Sequence, residues 1–211
     1  MTVSSFCDAQ AGMNTYLVSE GDHCFLIDPI LSGDLMEALE GQHIDFALLT
    51  HEHYDHIRGV NDLKSVGDIP VLCGKSAIRG LQDPAVNMSR FIEFLNMVLP
   101  FGDGTAEPCE YRCSADQTVE DGELRDWQGH TLLFKETPGH SAGSISLLLD
   151  DRLLFSGDVI FRNYATATRL PGGNTRVFKQ ITEPWLNRLA QDIIVYPGHT
   201  GSFVLAERYH Q

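Results

Sequence analysis

Phe46-Ala47-Leu48-Leu49-Thr50-His51-Glu52-His53-Tyr54-Asp55-His56 is the stretch on which the reading of this chain turns. Four apolar residues in a row are too few for a buried helix but enough for a buried strand. The run stops abruptly in three histidines and two acids within six residues. Imidazole nitrogens and carboxylate oxygens are the donors that divalent transition metals take, and a loop at a strand end can aim several of them at one point.

Working outward, the same arrangement recurs. His140 follows a strand predicted over 131–137, through Pro138-Gly139. His199 follows one predicted over 193–196, through Pro197-Gly198. Asp158 follows one predicted over 152–155, through Ser156-Gly157. A sheet gathers its strand ends in space, so side chains hung there converge without long loops. The glycines let the backbone turn so that the next side chain faces the site. His51, His53, Asp55, His56, His140, Asp158 and His199 make seven candidate ligands. A protein-bound ion with one open position takes three or four protein ligands, so seven serve two ions if one carboxylate bridges. Two cations about 3.5–4 Å apart can share a hydroxide and clamp the attacking and leaving oxygens.

The remaining pattern reads as strands interleaved with helices in two batches, consistent with two packed sheets and helices outside. Strands are expected at 14–19, 24–27, 69–72 and 144–149. Asp150-Asp151 is expected to form a tight turn. Helices are expected at 31–39, with Gly41 as C-cap, at 60–66, near 76–81, and at 176–190 with Pro184 kinking or dividing it. The stretch 83–113 is the least regular. Helical spacing over 91–99 is followed by breakers, which fits either a surface crossover or a loop covering a pocket.

The 211 residues suit one domain, 43% apolar residues can supply a continuous core, and the net charge of −14 disfavours nucleic acid and anionic membranes as partners. No run is long and apolar enough to span a bilayer, and the N-terminus lacks a basic region followed by an apolar stretch, so a cytoplasmic protein is expected. The five cysteines are odd in number and scattered, which does not suggest a disulfide framework. His23, His43, His130 and His210 lie outside the motifs and read as turn or surface residues. Glu52 and Tyr54 read as solvated or packing residues, and Trp127 and Trp185 as packing residues.

His51-Glu52-His53-Tyr54-Asp55-His56 resembles the HxHxDH motif of the metallo-β-lactamase superfamily. Thr137 to Ser144, Phe155 to Asp158 and Tyr196 to His199 resemble its other metal-binding motifs, in order along nearly the whole chain. The resemblance implies an α/β fold, an αββα sandwich of two mixed sheets flanked by helices, with residues 1–211 as one domain. It implies that His51, His53 and His140 bind one metal and that Asp55, His56 and His199 bind a second. Asp158 would bridge the two, and Asp28 would support the histidine loop from behind. Zinc is expected ahead of iron or manganese, and Asp55 could also act as a general base.

Ser114 to Gly122 and Leu170 to Thr175 resemble the small glyoxalase II-like hydrolases. That branch implies cleavage of a small thioester or ester by a metal-bridging hydroxide, with Asp55 and Asp158 at the reacting atoms. Two features depart from it. The chain ends twelve residues after His199, without the family's C-terminal helical region that helps hold glutathione. Arg169 also stands where the family often has an acidic residue. Arg162, Tyr164 and Arg169 could therefore line a pocket and grip an anionic substrate, or be solvent-facing loop residues. Lactone or phosphodiester hydrolysis and persulfide oxidation at a single iron remain alternatives. A non-catalytic binding module is disfavoured because all seven ligands are present. True β-lactamases are disfavoured by the bridging aspartate.

Overall fold

The computed structural model describes residues 1–93, 101–103, 105 and 107–209. Among these residues, twelve strands form two six-stranded mixed sheets. The first contains β1 (Thr2–Cys7), β2 (Asn14–Glu20), β3 (His23–Ile27), β4 (His43–Leu49), β5 (Val71–Gly74) and β6 (Gln117–Val119), in that order. The second runs β12 (Phe203–Val204), β11 (Ile194–Pro197), β10 (Leu153–Gly157), β9 (Ile145–Leu149), β8 (His130–Glu136), β7 (Leu124–Trp127). The expected αββα sandwich is the fold observed.

Strand alternation builds its layers. Phe46 and Leu48 point between the sheets, where they meet Phe25, Ile27, Phe134, Leu147 and Phe155. Ala47 and Leu49 point the other way, onto Leu35, Ile57, Val60 and Leu63 of the outer helices. Both faces of β4 are buried, so its run is continuously apolar instead of alternating. On the far side, Leu148, Leu154 and Val195 carry Phe178, Trp185 and Leu186. Asn14 latches the two sheets together at the site end. Its side-chain amide donates to the carbonyls of Pro197 (3.1 Å) and Thr200 (2.6 Å).

Several boundaries differ from expectation. The strand expected at 69–72 begins at Val71, after Pro70, which has no N–H to donate. The helix expected over 31–39 is α1 (Gly33–Ala38), started by Ser32 Oγ accepting from Leu35 N at 3.2 Å; its C-cap is Leu39, not Gly41. The helix over 60–66 is found at Val60–Val66. The helix expected near 76–81 divides into a 3₁₀ turn, Lys75–Ala77, and an α-helix, Ile78–Gln82. The long helix expected at 176–190 ends earlier. It runs from Thr175 to Leu186, with a π-helical turn at Phe178–Thr182. Pro184 has no N–H for the carbonyl one turn back, and the wider turn accommodates that loss. Asp150 and Asp151 both have positive φ, 51° and 53°, the type I′ geometry of a two-residue hairpin. The edge strands β1, β6, β7 and β12 were not singled out, because edge strands carry weak apolar signals. The helical reading over 91–99 and that of His210 fall largely or wholly outside the described residues. Among the described residues, no helix is long and apolar enough to cross a membrane.

Candidate metal centre

Strands β4, β8, β10 and β11 deliver their C-terminal ends to one rim of the sandwich, and all seven expected side chains meet there. His51 Nε2 lies 3.0 Å from His53 Nδ1, and His140 Nε2 lies 2.9 Å from that same atom. His199 Nε2 lies 3.2 Å from Asp55 Oδ2 and 3.5 Å from Asp158 Oδ2. Asp158 Oδ2 is also 3.7 Å from His140 Nε2, so this carboxylate stands between the two halves. The donor atoms of His51, His53 and His140 could hold one ion, and those of Asp55, His56 and His199 another. His51, His56 and Asp158 also converge.

Each ring is anchored through its other nitrogen. His140 Nδ1 faces the Ala167 carbonyl (2.8 Å), His199 Nδ1 the Gly12 carbonyl (3.0 Å) and His53 Nε2 the Pro171 carbonyl (3.4 Å). His56 Nδ1 pairs with Asp28 Oδ2 at 2.7 Å. Asp28 also accepts Thr50 N–H and Thr50 Oγ–H, both at 2.7 Å, and the Thr50 hydroxyl oxygen in turn faces His51 Nδ1 at 3.1 Å. These contacts give each outer nitrogen an acceptor for its proton and turn the inner nitrogen toward the cluster. Asp28 thus ties β3 to Thr50 and His56 at the start of the histidine loop.

The electrostatics divide the cluster. Burial, reinforced by the neighbouring imidazoles, holds His51 well below the usual range and pushes His140 down to about 3. Both are neutral. Burial would depress His56 and His199 as well, but the facing aspartates outweigh it and raise His199 to about 10. Burial likewise works against ionising Asp55 and Asp158, yet those two histidines hold both carboxyls low. Among the described residues, His56 Nε2 and Asp158 Oδ1 are buried without a hydrogen-bond partner. Unpaired buried polar atoms are costly, and a cation between inward-facing donors would satisfy them. The donor set therefore fits divalent metal.

Residues 12–199 match the family model for the metallo-beta-lactamase superfamily. The chain belongs to that superfamily. It is 32% identical over 192 residues to a probable metallo-hydrolase, YqgX, of Bacillus subtilis, covering 88% of this chain and 84% of the relative. A hydroxyacylglutathione hydrolase of Psychromonas ingrahamii is 28% identical over 185 residues, which span 86% of this chain but 58% of that protein. Among solved structures, the B3 metallo-beta-lactamase BLEG-1 superposes with a TM-score of 0.83 at 26% identity, over 98% of this chain and 95% of that one.

In this metallo-beta-lactamase fold the cluster opens into a cavity of about 140 Å³. His53, Asp55, His140 and Asp158 form its polar side, while Met88, Phe101, Phe161, Tyr164 and Leu170 are among its other walls. Phe101 stacks on the His199 ring at 4.5 Å and 13°. The irregular stretch 83–113 therefore contributes pocket walls through Met88 and Phe101. Of the three candidate substrate residues, Tyr164 lines the cavity. Arg162 points elsewhere and pairs with Glu207 at 3.3 Å, and Arg169 is exposed and outside the lining. Among the described residues no lysine or arginine lines this cavity.

Glu52 corrects a solvated reading, because it is 1% exposed. Its carboxyl accepts Ser141 Oγ–H at 2.7 Å and Gly143 N–H at 3.2 Å, tying the His51–His56 loop to the loop that carries His140. The partners lie 89 and 91 residues away, so nothing near Glu52 in the sequence marks the role. Glu52→Ala leaves Gly143 N–H without its acceptor and Ser141 Oγ with only Ser144 Oγ, 2.9 Å away. An unsatisfied buried donor costs about 1–3 kcal/mol, so a loss of roughly 2 kcal/mol is expected, read from the denaturant midpoint. An unshifted midpoint would show that the tie contributes nothing.

Proposed function

We propose that this chain, acting as one domain, is a metal-dependent hydrolase of small, largely apolar thioesters or esters. His51, His53 and His140 would hold one divalent cation, Asp55, His56 and His199 would hold the other, and Asp158 would serve both. Zinc is the proposed ion, ahead of iron or manganese. One observation carries the reading: a buried cluster of inward-facing donors, with His56 Nε2 and Asp158 Oδ1 making no hydrogen bond among the described residues, opens through His53, Asp55, His140 and Asp158 into a cavity whose other walls are largely apolar. When bound, the cations supply Lewis acidity, which brings the pKa of water from 15.7 toward about 7 and stabilises charge developing on a carbonyl oxygen.

The chain's own side chains do the rest. Asp28, Thr50 and the carbonyls behind each ring fix the imidazole tautomers. Asp55 borders the cavity, and its low-held carboxylate accepts a hydrogen bond that orients the attacking water. Phe101, Phe161, Met88 and Leu170 shed water from the acyl group and seat it beside Asp55 and Asp158. A thiolate leaves without needing a proton, so thioester cleavage requires no acid from the cavity wall.

The kinship to hydroxyacylglutathione hydrolases supports thioester chemistry. The lining argues against glutathione as the moiety recognised, since among the described residues no lysine or arginine of the cavity wall would meet its carboxylates. A β-lactam is the second reading, supported by the likeness to BLEG-1. The deciding experiment is a kinetic panel on purified protein of known metal content. It compares short neutral acyl thioesters, S-lactoylglutathione, lactones, phosphodiesters and a β-lactam. The neutral thioesters are expected to give the highest kcat/KM, at least about tenfold above S-lactoylglutathione, or some 1.4 kcal/mol of differential binding. A preference for S-lactoylglutathione would overturn the apolar specificity, and preference for the β-lactam would install the second reading.

A further inference from the structure

The same two strands that end at the metal centre begin at a second histidine cluster. β3 and β4 are parallel, and their register sets His23 beside His43. Asp45 lies two residues after His43, at a register shift in β4 that interrupts the alternation and turns its side chain toward the second sheet. His23 Nδ1 stands 2.9 and 3.0 Å from the two Asp45 oxygens, and His43 Nε2 stands 3.4 Å from Asp45 Oδ1. The two rings meet edge to face at 5.2 Å. Trp127 Nε1–H donates to Asp45 Oδ2 at 2.7 Å, so the carboxylate is fixed from the second sheet. His23 precedes Asp28 by five residues, which puts this cluster about 17 Å along the strand from the end that carries the centre.

One carboxylate and one imidazole would be an ordinary hydrogen-bonded pair. What such a pair leaves unexplained is His43. Its side chain is 69% exposed, yet its Nε2 turns toward the oxygen already faced by His23. Donors bound to one ion at 2.0–2.1 Å lie roughly 3.0–3.4 Å apart, close to the two spacings about Asp45 Oδ1. The three donor atoms lie within 4.8 Å of one another. Two imidazoles and a carboxylate form a borderline set, suited to zinc, nickel or copper(II), and solvent can complete the coordination. The chain's charge of −14 favours cations at such a surface.

We propose that His23, His43 and Asp45 form a separate site for one divalent transition-metal ion, at the end of the sandwich opposite the catalytic cluster. The ion would link β3 to β4 and, through Asp45 and Trp127, to β7. A cation that binds only this folded register stabilises the fold by mass action. The proposal stands whether or not the hydrolase reading does.

The test uses protein whose catalytic cluster is loaded with zinc. Copper(II) is added to one equivalent and followed by electron paramagnetic resonance and by the melting temperature. Wild type is expected to take up the equivalent, to show nitrogen couplings from imidazole, and to melt higher. His43→Ala removes an exposed ring and keeps the Asp45–Trp127 bond. It is expected to lose that spectrum and the melting shift, with turnover unchanged. A His43→Ala protein with the same copper spectrum overturns the proposal, because the ion would then sit elsewhere, the catalytic cluster included. Failure of wild type to take up copper overturns it too.

Discussion

Asp158→Ala is expected to lower kcat/KM by at least about a thousandfold, equivalent to roughly 4 kcal/mol of transition-state stabilisation. The carboxylate is 9% exposed, stands between His140 and His199, and keeps one oxygen without a partner among the described residues. Burial opposes its ionisation, yet His199 and His56 hold it well below the usual carboxylate range. It is thus a fixed negative charge facing donors from both halves of the cluster. Alanine removes that charge, leaves His56 and His199 with Asp55 as their remaining facing acid at the inner edge, and should cost the protein bound metal. The fold should survive, because the sheets pack through the apolar layers and not through Asp158. The measurements are steady-state kinetics, metal content and a thermal melt. Protein stripped of metal by chelation is expected to match the variant and to recover on addition of zinc. Full activity in either preparation would remove the basis of the proposed reaction.

What could be read in the sequence was what the sheets enforce locally. Apolar runs ending at Leu49, Phe134, Phe155 and Tyr196 announce strands, and their polar successors must gather at one rim. Hence His51, His53, Asp55, His56, His140, Asp158 and His199 were legible together, and Asp28 with them. Contacts made across the chain were not legible. Glu52 looks like a spacer between ligands until the His140 loop is folded onto it. Phe101 follows a proline in a breaker-rich stretch, and only the tertiary fold lays it on His199. Arg162 and Arg169 have the right charge for an anionic substrate but not the right direction; Glu207 engages the first and solvent the second. Turn geometry decides where a side chain points, and a loop without periodicity does not declare it.

Gly198→Ala should lower kcat/KM about a hundredfold while leaving every candidate ligand in place. The effect follows from space, not from backbone freedom. A β-carbon here would fall onto Asp158 Oδ1 and come within 2.6 Å of His56 Cε1. The backbone cannot withdraw, because Gly198 N–H donates to the Gly157 carbonyl at 2.9 Å and its own carbonyl accepts Asn14 N–H at 2.7 Å. Strain must therefore pass into Asp158 and His56. Overpacking of this kind costs about 1–3 kcal/mol of stability, and a displacement near 1 Å in a reacting group can cost about a hundredfold in rate. Gly201→Ala is the control, since a β-carbon there meets nothing within 4 Å. It should retain wild-type kinetics and stability. If Gly198→Ala turns over as fast as Gly201→Ala, the spacing of Asp158 and His56 does not limit the reaction, and their proposed shared hold on the cations is wrong.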